Sequence, residues 1–160
     1  MNIASIAMPV HCPGRSKPRH GIERQEATDI EVTVAVTLSD FMQAMPFMKR
    51  VAMETCAPIA PNSVGAMLAR MNYGGSGHES GCLVLARHDK SVAGFAVLAV
   101  KPGIGLELTW LHAGGEKSDQ IVDRLWQKVT EIKAEWDFPI LHVGYFTDMP
   151  KAMRDRVKVY

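Results

Sequence analysis

The sequence has almost no net charge: eighteen Lys and Arg against seventeen Asp and Glu leave +1 at neutral pH. Nucleic-acid binding shows itself as a basic excess or patch, and the totals give no such signal. Long apolar runs are missing as well. The longest, Val92 to Val100, is nine residues, against the roughly 20 that a bilayer-spanning helix needs, so no segment reads as a membrane span. Cysteine is scarce and unpaired: Cys12, Cys56 and Cys82 lie far apart with no C-x-x-C among them. That pattern suggests neither a disulfide framework nor a zinc ribbon and fits a reducing, cytoplasmic setting. No G-x-S-x-G, H-E-x-x-H or G-x-x-x-x-G-K-[ST] occurs, so hydrolase, metalloprotease and nucleoside-triphosphatase chemistry has no residues to rest on. Gly103-Ile104-Gly105 lacks the third glycine and the helix of a dinucleotide fingerprint.

What is present is an ordinary globular composition. The 160 residues are 47% apolar and 22% charged, which predicts one soluble domain rather than a disordered or fibrous chain. Methionine is over-used, with ten in all and six between Met42 and Met71. Met packs adaptably, so a soft helical core is expected there, with a Met-rich binding surface as the alternative. Residues 1–28 differ from the rest. A weakly apolar stretch is followed by the basic, Pro- and Gly-broken run His11 to Gly21. A secretory signal carries its positive charge before the apolar run. The segment therefore reads as a flexible arm, either a plain leader or a partner-binding tail, ahead of one domain over 29–160.

Periodicity then lays out the domain. Glu31 to Leu38 alternates and is β-branched, which predicts a strand. Ser39 or Asp40 can cap a helix with the stripe Phe41, Met45, Met48, Ala52 and Cys56, in which Pro46 should kink or split the first turn. Asn62 is placed to cap a second helix bearing Val64, Met67, Leu68 and Met71. Three strands follow, Cys82 to Arg87, Val92 to Val100 and Leu106 to His112, joined by turns short enough for an antiparallel meander. Ser118 is placed to cap a long helix that buries Val122, Leu125, Trp126, Val129, Ile132 and Trp136. Ile140 to Phe146 is a fifth strand, and Thr147-Asp148 caps a last helix running towards Val159.

This α/β order, β-α-α-β-β-β-α-β-α with a mixed central sheet flanked by helices, resembles the GCN5-related N-acetyltransferase (GNAT) fold from about Glu31 to Tyr160. The resemblance implies that acetyl-CoA binds where the fourth and fifth strands splay apart, its pantetheine lying between them like an extra strand. It also implies that the pyrophosphate sits at the start of the long helix, where free N–H groups attract anions. Carried onto this chain, the cofactor-binding residues are Leu111, His112, Gly114, Gly115, Lys117, Ser118, Asp119 and Gln120. The family signature R/Q-x-x-G-x-G/A falls on Lys117 to Val122, where Gln120 and Val122 replace the glycines and should crowd the phosphates. Glu116 and Asp119 add negative charge. The second family run, N-x-x-A-x-x-x-Y, falls on Met149 to Arg156; Ala152 fits, while Met149 and Arg156 replace the Asn and the acid Tyr.

Acetyl transfer to an amine needs a base and donors for the thioester oxygen. Glu107 on the fourth strand is one candidate base, and a solvated edge charge is the alternative. His112 is the other; with His142 it could form a base or a polar pair in the cleft. Tyr145 or Tyr160 could stand in for the acid. No third ligand at sensible spacing joins the histidines, so no metal is expected. Two functions follow from the resemblance. One is an N-acyltransferase moving an acetyl group from acetyl-CoA to a small-molecule or protein amine. The other is a GNAT-fold protein without catalysis that acts as a binding or structural subunit, as eroded members do in bacteriophages and their virions. An open sheet edge or the arm could then pair with another copy or a structural partner.

Overall fold

A computed structural model describes residues 29–55, 57, 59–73, 81–144 and 147–154. The elements are β1 (Ile30–Val34), α1 (Leu38–Glu54), a 3-10 turn (Pro61–Ser63), α2 (Val64–Tyr73), β2 (Cys82–His88), β3 (Ser91–Lys101), β4 (Gly105–Ala113), α3 (Ser118–Glu135), β5 (Leu141–Val143) and α4 (Lys151–Arg154). The strands form one sheet in the order β1-β2-β3-β4-β5. The first four pair antiparallel, and β5 joins β4 in parallel. The arm expected over 1–28 lies outside the described residues.

Each strand sends alternate residues to opposite faces. One face carries Val84, Ala86, Ala96, Leu98, Leu106 and Leu108 against Ile121, Val122, Leu125, Trp126, Val129 and Ile132 of α3. The other carries Leu83, Leu85, Phe95, Val97 and Trp110 against α1 and α2. Phe95 and Trp110 meet edge to face, with centroids 4.6 Å apart, the arrangement their ring quadrupoles favour. On β4 the parity changes. Leu98 faces Leu108 and Val97 faces Trp110, so Thr109 is one residue too many. Beyond this bulge the α3 face is held by Leu111 and Ala113 instead of even-numbered residues.

Several local expectations change. Thr37, not Ser39 or Asp40, is the N-cap of α1, and Asp40 closes a capping box from the third helical position. The helix runs unbroken through Pro46. Its buried face holds Phe41, Ala44, Phe47, Met48, Val51 and Ala52, while Met42 and Met53 are exposed, so the methionines only partly make the core. Cys56 lies outside the described residues. Asn62 sits inside the 3-10 turn, whose N-cap is Ala60. The long helix begins with Lys117 as N-cap and no side-chain cap bond, and Ser118 is its first residue. The fifth strand is three residues long, and of the last helix only Lys151–Arg154 falls within the described residues.

Candidate functional site

The site is built where β4 and β5 part. Their ladder holds Leu106 to Leu141, Glu107 to His142 and Leu108 to Val143, and stops opposite the Thr109 bulge. Thr109 turns its hydroxyl to the Val97 carbonyl at 3.1 Å. Gly144 donates to the Leu108 carbonyl at 2.8 Å. A Cβ at Gly144 would sit 3.0 Å from the Thr109 carbonyl oxygen, so only glycine passes this close without displacing β4.

The expected parting of the two strands falls at residues 145–146, which lie outside the described residues, and the strands meet again just beyond them. Leu111 and Thr147 form a parallel bridge. Asp148 donates its N–H to the Leu111 carbonyl at 3.0 Å, and its Oδ2 accepts from the Ala113 N–H at 3.3 Å. The Thr147 hydroxyl reaches the Leu108 carbonyl at 3.4 Å. Trp126 of α3 donates from Nε1 to the Asp148 carbonyl at 2.8 Å. Thr147 and Asp148, expected to cap the last helix, thus turn their side chains to β4. The physical reason is that strand-edge groups left unpaired beyond a bulge need partners, and a short polar residue supplies both a donor and an acceptor.

His112 lies on the same loose edge. Its Nδ1 is 3.2 Å from Asp148 Oδ2, so Asp148 faces that ring nitrogen and not Nε2. The ring is just over a quarter exposed, at 28%, and packs beside Phe47 and Phe95 with centroids 6.4 and 6.5 Å away. Glu107 faces away from Leu106 and Leu108, as expected, but its carboxylate is bound by Lys101 Nζ at 2.6 Å. The pairing of His112 with His142 does not form. His142 stands beside Glu107 in register, five residues from His112 along β4, which is on the order of 15 Å. Tyr145 and Tyr160 lie outside the described residues.

The turn from β4 into α3 is shaped by two glycines. Gly114 donates to the Ala93 carbonyl at 2.9 Å, and Phe47 packs 3.6 Å from where its Cβ would be. Gly115 has a left-handed φ of +87° with open space beyond it. The absence of a side-chain cap leaves the helix start to attract an anion. Lys117 Nζ lies 3.0 Å from His88 Nε2, at the wall of a cavity of about 320 Å³ that also touches Ser91, Gly114 and Gly115. The negative charge of Asp119 is met by Lys151 Nζ at 2.7 Å. Gln120 is exposed, whereas Val122 is only 3% exposed and packs in the α3 core. Val122 therefore does not crowd the turn, contrary to its expected place.

Other reactive groups stand apart from this region. Burial pushes the Cys82 thiol up to about 12, which makes it an inert core residue. Among the described residues no three His, Cys, Asp or Glu side chains converge as a metal site would require, and no helix is long and apolar enough to cross a membrane. Asp148 and Trp126 are the site residues that sequence reasoning missed. A Thr-Asp pair before a helix reads as a cap, and nothing in its spacing signals a return to β4.

Against known proteins the chain matches no family model and no curated sequence. Its structure does match. A possible acetyltransferase from Clostridium difficile 630 superposes with a TM-score of 0.59 at 12% identity, over 82% of this chain and 90% of that one. The ribosomal-protein-alanine N-acetyltransferase of Brucella melitensis biovar Abortus 2308 gives 0.55 at 14% identity, over 79% and 84%. The aminoglycoside 6'-N-acetyltransferase of Enterococcus faecium gives 0.53 at 19%, over 68% and 56%. The fold is the one seen in GNAT acetyltransferases.

Proposed function

We propose that this chain is a GNAT-like N-acyltransferase of the cytoplasm that moves an acetyl group from acetyl-CoA to a small-molecule or protein amine. The observation that supports it most is the break in the β4–β5 ladder opposite the Thr109 bulge, beside an uncapped α3 and a glycine turn. The turn from Gly114 to Gln120 suits a pyrophosphate: Gly115 adopts a backbone that keeps side chains away, and Lys117 brings a cation. The β4 edge suits an extended amide chain only once Asp148 has left Leu111 and Ala113.

Acetyl-CoA supplies the thioester whose C–S bond breaks as the amine nitrogen bonds to the acyl carbon. The chain must take a proton from that amine. His112 is the better base, because Nε2 is unoccupied by Asp148 while Glu107 is held by Lys101. Substituting His112 by Gln should lower kcat at neutral pH by about 10²-fold or more, and Glu107→Gln should change it little. The reverse ranking makes Glu107 the base. Binding is tested by thermal unfolding with acetyl-CoA: a ligand at 100 times its Kd stabilises by about 2.7 kcal/mol. No shift at millimolar acetyl-CoA removes the reading.

A second reading is favoured by the Asp148 contacts themselves. A β4 edge already satisfied from within suits a GNAT-fold protein that binds or builds rather than catalyses. On that reading, acetyl-CoA leaves the melting temperature unchanged, and the solution mass reports a multimer joined through the sheet edge or the arm.

A further inference from the structure

We infer that Asp148 is an internal latch that holds the cofactor slot shut, so that acetyl-CoA and the Thr147–Asp148 segment compete for the same two backbone groups of β4. The inference rests on the acyltransferase reading above. Beyond the bulge, β4 offers the Leu111 carbonyl and the Ala113 N–H towards β5. An extended amide chain laid along that edge would use one donor and one acceptor to meet them. Asp148 meets them already: its N–H bonds the Leu111 carbonyl at 3.0 Å, and its carboxylate accepts from Ala113 at 3.3 Å.

The latch is braced from outside the sheet. Trp126 Nε1 holds the Asp148 carbonyl at 2.8 Å, and His112 Nδ1 holds the carboxylate at 3.2 Å. Trp126 is rooted in the α3 core at 8% exposure, so the brace is fixed relative to the helix whose first turn would take the pyrophosphate. A ligand entering the slot must break contacts from Asp148 to both β4 and α3. With Asp148 displaced, His112 still has the Phe47 and Phe95 rings beside it.

A binding series with coenzyme A, followed by isothermal titration calorimetry, tests this without catalysis. Asp148→Ala removes the bonds to Ala113 and His112. Trp126→Phe keeps a ring in the core and removes the brace. Each should tighten coenzyme A binding by about fivefold or more, because a hydrogen bond no longer has to be broken before the ligand enters. Asp148→Asn keeps an amide oxygen for the Ala113 N–H and should stay within about twofold of the wild type. Amide exchange gives a ligand-free readout: Ala113 should exchange faster in Asp148→Ala and as slowly as wild type in Asp148→Asn. If wild type binds coenzyme A and both latch variants bind equally or more weakly, the latch is overturned and the acyltransferase reading stands. If none of the four proteins binds at millimolar coenzyme A, that reading falls and takes the latch with it. Exchange at Ala113 that is indifferent to Asp148→Ala also overturns the latch.

Discussion

Replacing Asp40 by Asn should remove a share of stability that exists only while the carboxylate is charged. Asp40 Oδ2 accepts from the Thr37 N–H at 3.0 Å, the Thr37 hydroxyl at 2.8 Å and the Val36 N–H at 3.2 Å, and Oδ1 meets Arg87 Nη2 at 2.7 Å. The Thr37 N–H does most to favour the charged form; burial opposes it, and the other partners add to it, leaving the carboxyl at about 2 instead of 3.8. The difference, 3.8 − 2 or about 1.8 units, sets an upper figure of about 2.4 kcal/mol. With 20% of the side chain exposed, solvent screening brings this to about 1–2 kcal/mol.

The folded-state value is depressed, so this contribution is complete above the ordinary carboxyl value and is lost as pH falls from about 4 through 2. Asn can still cap but cannot titrate. Unfolding free energies of wild type and Asp40→Asn from urea titrations should therefore differ by about 1–2 kcal/mol at neutral pH and converge towards pH 2, with the remaining carboxylates cancelling in the difference. A gap that is absent at neutral pH, or that stays constant down to about pH 2.5, refutes the reasoning. The site depends on this anchor. Arg87 also bonds Thr33 at 2.8 Å, tying β1 and β2 to the helix whose Phe47 lies on Gly114.

Two further substitutions read the region around α3. Gly94→Ala places a Cβ 2.6 Å from Ile121 Cγ2 and 3.1 Å from the His112 carbonyl oxygen; it should cost about 1–3 kcal/mol, and an unchanged melting temperature would show that α3 can back away freely. Gln120→Glu should raise stability by a few tenths of a kcal/mol, up to ~1, through the helix dipole, while weakening coenzyme A binding at low salt. Val122→Glu at the neighbouring signature position should instead unfold the domain, because Val122 is 3% exposed in the core. Binding that is insensitive to Gln120→Glu moves the anion away from this turn.

The element order was legible because period-2 and period-3.6 patterns are written locally. The buried side of α3 was read correctly at Val122, Leu125, Trp126, Val129 and Ile132, but Ile121 was missed and Trp136 is the half-buried C-cap beyond the helix. What escaped were contacts set by tertiary geometry. Capping was misassigned at three helices because Thr37, Ser39, Asp40, Asn62 and Ser118 all have capping chemistry, and only the path of the chain selects among them. Asp148 looked local and acts 35 residues away. His112 and His142 looked paired because both lie late in neighbouring strands, yet register, which periodicity does not encode, sets His142 beside Glu107.

The surplus residue in β4 divides that strand into two frames. Up to Leu108 an even number points at α3, and from Leu111 onward an odd one does. Removing the surplus residue would fuse the frames into one regular alternation, with Leu111 still under the long helix and His112 still on the opposite face, and would erase the bulge at which the pairing with β5 stops. A deletion here therefore keeps both faces of the strand and costs only the interruption of its pairing with β5.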